Sequence, residues 1–105
     1  MNEIVAVYAI FDSDEEARRI GRAMVEARLA ACVNILGACH SIYRWQDTIE
    51  EAREVPAIFK TGRSQAAKLI DAIREAHRYD VPAIVMLPIE EASPAYRAWV
   101  TAQTG

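Results

Sequence analysis

The chain has no apolar run approaching the roughly 20 residues that a membrane span needs, so no spanning segment is expected. Cysteine is scarce. The two present, Cys32 and Cys39, are seven apart, which fits neither a disulfide scaffold, a zinc ribbon nor a redox C-x-x-C. Positive charge is in deficit: 12 Lys and Arg stand against 15 Asp and Glu, for a net charge of −3. That balance argues against a nucleic-acid or anionic-membrane partner. Met1-Asn2-Glu3 offers no basic stretch ahead of an apolar one, so no secretory signal is expected and a cytoplasmic location is. Phosphate-binding glycine loops and the H-E-x-x-H zinc motif are missing. Neither His40 nor His77 has a serine or cysteine at a spacing diagnostic of a nucleophile–base pair, so no enzyme activity is expected.

What is present is ordinary globular material: 105 residues, 52% hydrophobic and 26% charged. One domain, 1–105, is expected. Glu3 to Phe11 is a near-continuous apolar run, suited to a strand buried on both faces. Ser13 and Glu16 form a capping box ahead of Ala17, Ile20, Met24, Ala27 and Ala31, which predicts a helix over 14–30. Cys32 to Gln46 reads as strand, with Gly37 marking a bulge or bend. After the turn at Gln46-Asp47-Thr48, Ile49 to Lys60 is extended; Pro56 must sit at a bulge or an unpaired position. Ser64 caps a second helix with Ala67, Ile70, Ile73 and Ala76 on its inner face. Ala83 to Ile89 is a strand, and Ser93-Pro94 opens a short third helix carrying Tyr96, Trp99 and Val100. The order is βαββαβ plus a helix: an α+β, ferredoxin-like plait.

Its middle hairpin is too long for the domain. Cys32 to Gln46, fully extended, spans roughly 50 Å, whereas a compact chain of this length is about 33 Å across. The tip, with Tyr43, Trp45 and Ile49, must project and expose apolar side chains and strand edges. Burial against further copies resolves this; a fold-back at Gly37 is the alternative.

A wider set of residues carries a family resemblance. Leu29-Ala30-Ala31-Cys32-Val33-Asn34-Ile35, Ser41-Ile42-Tyr43-Arg44-Trp45, Lys60-Thr61, His77-x-Tyr79-x-Val81-Pro82, Leu87-Pro88-Ile89 and Tyr96-x-x-Trp99 stand in order. Together they resemble the CutA family of divalent-cation tolerance proteins. The resemblance implies a subunit similar to the PII signalling proteins and a homotrimer built by edge pairing of the long hairpins. It also implies a role in tolerance of copper or another divalent cation. The chain departs from the family pattern at Ala38, Asp47, Arg78, Asp80, Ala83 and Ala92. Copper sites proposed in the family use a cysteine late in the first strand, where this chain has Ala9, and paired histidines, where it has Ala76 and His77.

His77, with Asp80 as a companion, is therefore the candidate metal ligand, for a weakly held Cu2+ or other divalent cation; no cofactor is required. One imidazole is a thin basis, since copper or zinc takes three or four ligands. The plain alternative is a helix-terminal histidine bonded to a last-turn carbonyl. Cys39 and His40 are adjacent strand residues and should point to opposite faces. Cys32 is expected to be a small core residue. Tyr43, Trp45, Lys60, Thr61, His77 and Tyr79 are candidates for lining an inter-subunit cleft, where Lys60 and His77 would favour a small anion. Alternatively Tyr43, Trp45 and Tyr79 only cement the trimer; Tyr43, Trp45 and Ile49 are expected at its interface. An acylphosphatase-like enzyme is disfavoured by the acidic Asp12-Ser13-Asp14 loop. An RNA-binding sheet is disfavoured by the missing aromatic pattern around Phe59.

Overall fold

The computed structural model describes residues 3–105. β1 (Ile4–Phe11) leads through α1 (Asp14–Glu26) to β2 (Cys32–Ile35), β3 (Cys39–Trp45) and β4 (Thr48–Gly62). Then follow α2 (Ala66–Ala76), β5 (Ile84–Pro88) and α3 (Pro94–Gln103). The sheet is antiparallel in the order β2-β4-β1-β5, with β3 also paired to β4. This is the expected α+β, ferredoxin-like βαββαβ plait with a terminal helix.

Alternation along the two central strands builds the core. Val7, Ala9 and Phe11 of β1 and Val55, Ala57 and Phe59 of β4 point to one face, where Ala17, Ile20 and Met24 of α1 and Leu69 and Ile73 of α2 cover them. Among the described residues the opposite face is covered at one end, where Val100 of α3 meets Ile4. So β1 is buried on both faces in its first half alone; Tyr8 and Ile10 further along are half-buried. Helix α1 approaches β2 closely at Gly21: a Cβ there would stand 3.0 Å from Val33 Cγ1.

Several boundaries differ from expectation. Helix α1 stops four residues short of Ala30 because Arg28 adopts φ +61°, after which the Leu29 and Ala30 amides both return to the Met24 carbonyl. Only half of the capping box forms. Ser13 Oγ accepts from the Glu16 amide at 3.1 Å, while the Glu16 carboxylate turns to Arg19. Ser64 does not cap α2. A 3-10 turn, Arg63–Gln65, precedes the helix, which therefore starts at Ala66 and buries Ala66, Leu69 and Ile73. Ile70 and Ala76 are half-buried and pack against the same core as expected, while Ala67 is exposed. Ser93 does cap α3, accepting from the Tyr96 amide.

The long strand from Cys32 is broken at Leu36-Gly37-Ala38, yet the ribbon does not fold back. β2 and β3 lie end to end along an unbroken β4. Between the pairs Ile35↔Ala57 and Cys39↔Glu54, three residues oppose two, the count of a bulge. Pro56 sits at this break. Its carbonyl accepts from the Leu36 amide at 2.9 Å, and because a strand residue's N and O point the same way, its missing donor faces the gap. Beyond Val55, β4 leaves β1 behind and the β3–β4 hairpin projects, stretching the molecule to 44 × 25 × 23 Å. Gln46 (φ +49°) and Asp47 (φ +65°) close it as a two-residue turn with both central residues left-handed.

Candidate functional site

A cleft of about 590 Å3 opens where the base of the hairpin passes the segment between α2 and β5. Period-two alternation aims Ser41, Tyr43 and Trp45 of β3 to one side, and Glu54 of β4, the cross-strand partner of Cys39, shares that side. Ile10 forms the floor, and Tyr79, Asp80, Val81 and Ala83 form the opposing wall.

The position of that wall follows from how α2 ends. His77 takes an extended conformation and caps the helix. Its Nδ1 accepts from the Tyr79 amide at 3.1 Å, which leaves the proton on Nε2 to be donated to the Ile10 carbonyl at 2.6 Å. The ring stacks on Phe11, with centroids 5.1 Å apart, and Tyr79 leans on it at 4.7 Å. Ala83 O accepts from Ile10 N. Arg78 reaches the Glu16 carboxylate at 3.2 Å and Asp12 at 3.8 Å. His77 is thus a bracket that fixes Tyr79 on β1. The backbone amide of His77 bonds the last-turn Arg74 carbonyl, while its imidazole donates to β1 instead.

Tyr79 in turn donates its hydroxyl to Glu54 Oε2 at 2.7 Å. Burial, and then the Glu54 carboxylate beside it, push the Tyr79 phenol well above its ordinary value. Glu54 is only 8% exposed. The other well-buried carboxylate, Glu16, is clamped differently. The Arg19 hydrogen bonds foremost, with Arg78 adding to them, hold it below the usual carboxylate range against the opposing effect of burial.

The structure brings together Tyr43, Trp45, Tyr79 and Asp80 from the sequence-predicted set, and it does so within one subunit. Lys60 and Thr61 are elsewhere, six and seven residues further along β4, or about 20 Å. Lys60 Nζ bonds the Asn34 side chain, and the buried Thr61 donates to the Leu29 carbonyl at 2.7 Å. Ile49 is exposed at the hairpin tip and takes no part in the cleft. Within one subunit Lys60 is therefore remote from this cleft, and both ring nitrogens of His77 are engaged. Cys39 and His40 do diverge, Cys39 toward Ser41 and His40 toward Glu51. Cys32 is no core residue. It is half-buried with Sγ 3.4 Å from the Tyr96 hydroxyl; burial and that thiol push the phenol up to about 12.

A profile of the family described as CutA1 divalent ion tolerance protein matches residues 5–103. The chain belongs to the CutA1 family. It is 43% identical over 105 residues, the whole of both chains, to the divalent-cation tolerance protein CutA of Thermus thermophilus. It is 39% identical over 97 residues to protein CutA of Homo sapiens, matching 92% of this chain and 54% of that one, so it spans about half the length of the human relative. The solved Cut A1 structure from Thermus thermophilus superposes with a TM-score of 0.93 at 42% identity, covering 97% of this chain and 99% of that one.

Family membership raises the question of a divalent ion. Among the described residues, no three His, Cys, Asp or Glu side chains stand close enough to hold one. With both nitrogens of His77 engaged, the residues of one subunit do not fit a metal centre. Sequence reasoning missed Glu54, the most buried polar group of this CutA1 cleft. Its one signal was position: a carboxylate directly before the apolar run Val55–Phe59, where a solvated charge is the default reading.

Proposed function

We propose that this chain is a non-enzymatic, homotrimeric divalent-cation tolerance protein that acts as a binding module, with the aromatic cleft as the seat of a small ligand. The cleft itself carries this reading: a concave site of ligand size, mostly apolar, with a few convergent polar groups. A PII-like sensing or adaptor role suits such a site, because the signal is occupancy and no reacting groups are needed. The trimer is supported by the apolar surface one subunit leaves bare: Ile42 and Ile49 on the projecting hairpin, and Val85, Met86 and Leu87 on edge strand β5. Two unpaired thiols suit the cytoplasm, and no helix among the described residues is long and apolar enough to cross a membrane. The competing reading, Cu2+ at His77 with Asp80, is favoured by the family's description. It requires the imidazole to release one of its two hydrogen bonds.

Native mass spectrometry with and without one equivalent of Cu(II) per chain tests the proposal. A mass near three times 11.7 kDa that stays free of stoichiometric copper is expected. A monomer at micromolar concentration refutes the assembly. Three copper ions per trimer, lost on His77→Ala, establish the metal reading instead.

A further inference from the structure

Glu54 is the anomaly of the molecule. A carboxylate that is nine-tenths buried is normally paired with a cation, because leaving water as a lone charge is expensive. Glu16, buried to a similar degree, has two arginines. Glu54 has one phenol, and no lysine, arginine or histidine nitrogen among the described residues comes within 4.0 Å of its carboxylate. Its side chain lines the cleft, so the uncompensated charge is presented to whatever enters.

The rest of the lining agrees in sign. Asp80 adds a second carboxylate, and among the described residues none of the lining is cationic. Tyr43, Trp45 and Tyr79 supply ring faces that attract positive charge, while Ile10, Val81 and Ala83 are apolar. An anion would be desolvated against two carboxylates. A bare divalent ion would find too few oxygens for its six or more coordination positions. The group that satisfies every wall at once is an ammonium joined to an apolar body. Its charge meets Glu54, its N–H bonds reach the free lone pairs of that carboxylate, and its carbon skeleton lies along the aromatic rings.

We propose that the cleft is a receptor for organic cations, specifically an ammonium group carried on an apolar body. This rests on the cleft being a ligand site. It adds the ligand's charge and the residue that selects it, Glu54.

Isothermal titration of the full chain with benzylamine, benzyl alcohol and benzoate, at pH 7 in an amine-free buffer, separates the two ideas. Benzylamine, charged at that pH, is expected to bind at least tenfold more tightly than the alcohol, with benzoate giving no heat. Glu54→Gln keeps the side-chain shape and an acceptor for Tyr79, and should weaken benzylamine roughly ten- to hundredfold, the worth of a charge-assisted contact. Its oligomer mass and melting cooperativity serve as the folding control. Asp80→Asn, at an exposed position, gives a second readout with a smaller loss, of a few fold, should the first variant not fold. Equal binding of alcohol or benzoate leaves a ligand cleft but overturns its preference for cations. Silence with all three probes, as when a second copy fills the cleft, overturns both. Benzylamine affinity unchanged by either substitution places the site elsewhere and overturns the assignment to Glu54.

Discussion

Tyr79→Phe removes one oxygen from the cleft wall and tests the Glu54 pair directly. In the folded protein the hydroxyl donates to a buried carboxylate at 2.7 Å, near the short range of charge-assisted O–H···O⁻ bonds. Such a bond contributes about 1.5–3 kcal/mol net, and Glu54 is too buried for water to replace the lost donor freely. The substitution should therefore destabilise the fold by about 1.5–3 kcal/mol. In a Glu54→Gln background the same change deletes only a neutral bond, about 0.5–1.5 kcal/mol. The double-mutant cycle should then return a coupling of roughly 1–1.5 kcal/mol. Urea unfolding of all four proteins at one protein concentration measures it, because association adds concentration-dependent stability. Unchanged m-values license the comparison. Should Tyr79→Phe fall within about 0.5 kcal/mol of the parent, or the coupling vanish, solvent reaches Glu54 freely and the reasoning about a dry, uncompensated carboxylate is refuted.

Phe59, fully buried between the helices and the sheet, should lose about 3–5 kcal/mol on Phe59→Ala by urea unfolding; under 2 would place the core elsewhere. Asp47→Gly should raise stability by about 0.5–1 kcal/mol, since φ +65° is strained for a residue with a Cβ; a loss would mean the Asp47 side chain itself holds the turn. Alkaline absorbance titration should show Tyr96 ionising near pH 12 and Tyr79 later still, with Tyr79→Phe removing the last step. Both phenols are raised in the fold above the ordinary 10.0, so their stabilising contribution is complete below pH 10 and fades as pH climbs through the folded values. Glu16 is the opposite case: its folded value lies below 4.5, so the stability gap between the parent and Glu16→Gln should be full above pH 4.5 and close on further acidification. Parallel acid-unfolding curves would remove the Arg19 clamp from the account.

Much of the fold was legible because local rules and the hydrophobic pattern agree. The apolar run through Phe11, the spacing of Ala17, Ile20 and Met24, and the Ser93-Pro94 start each point to the observed element. The misplaced boundaries share a cause. Arg28 in a left-handed conformation and the 3-10 turn at 63–65 are decided by neighbouring contacts. The Arg28 guanidinium bonds the Ala102 carbonyl, and the Arg63 amide and side chain both reach Glu3. Neither partner is near in sequence, so no local pattern could signal the boundary.

The site divides along the same line. By itself the amino-acid order determined that Tyr43 and Trp45 share one face of a projecting hairpin, because side chains in a strand alternate with period two. It also determined that His77 ends a helix and that no local motif offers paired catalytic groups. Which of these residues meet was decided only by the tertiary structure. Bending the 77–83 segment onto β1 through the Ile10 carbonyl sets Tyr79 against Glu54, 25 positions earlier, and leaves Lys60 at the far end of the same strand. Residues close in sequence along an extended strand are carried apart at about 3.3 Å per position, while residues distant in sequence are joined by chain reversals. A cleft's charge is the sum over whatever the reversals bring together, and here that sum is negative.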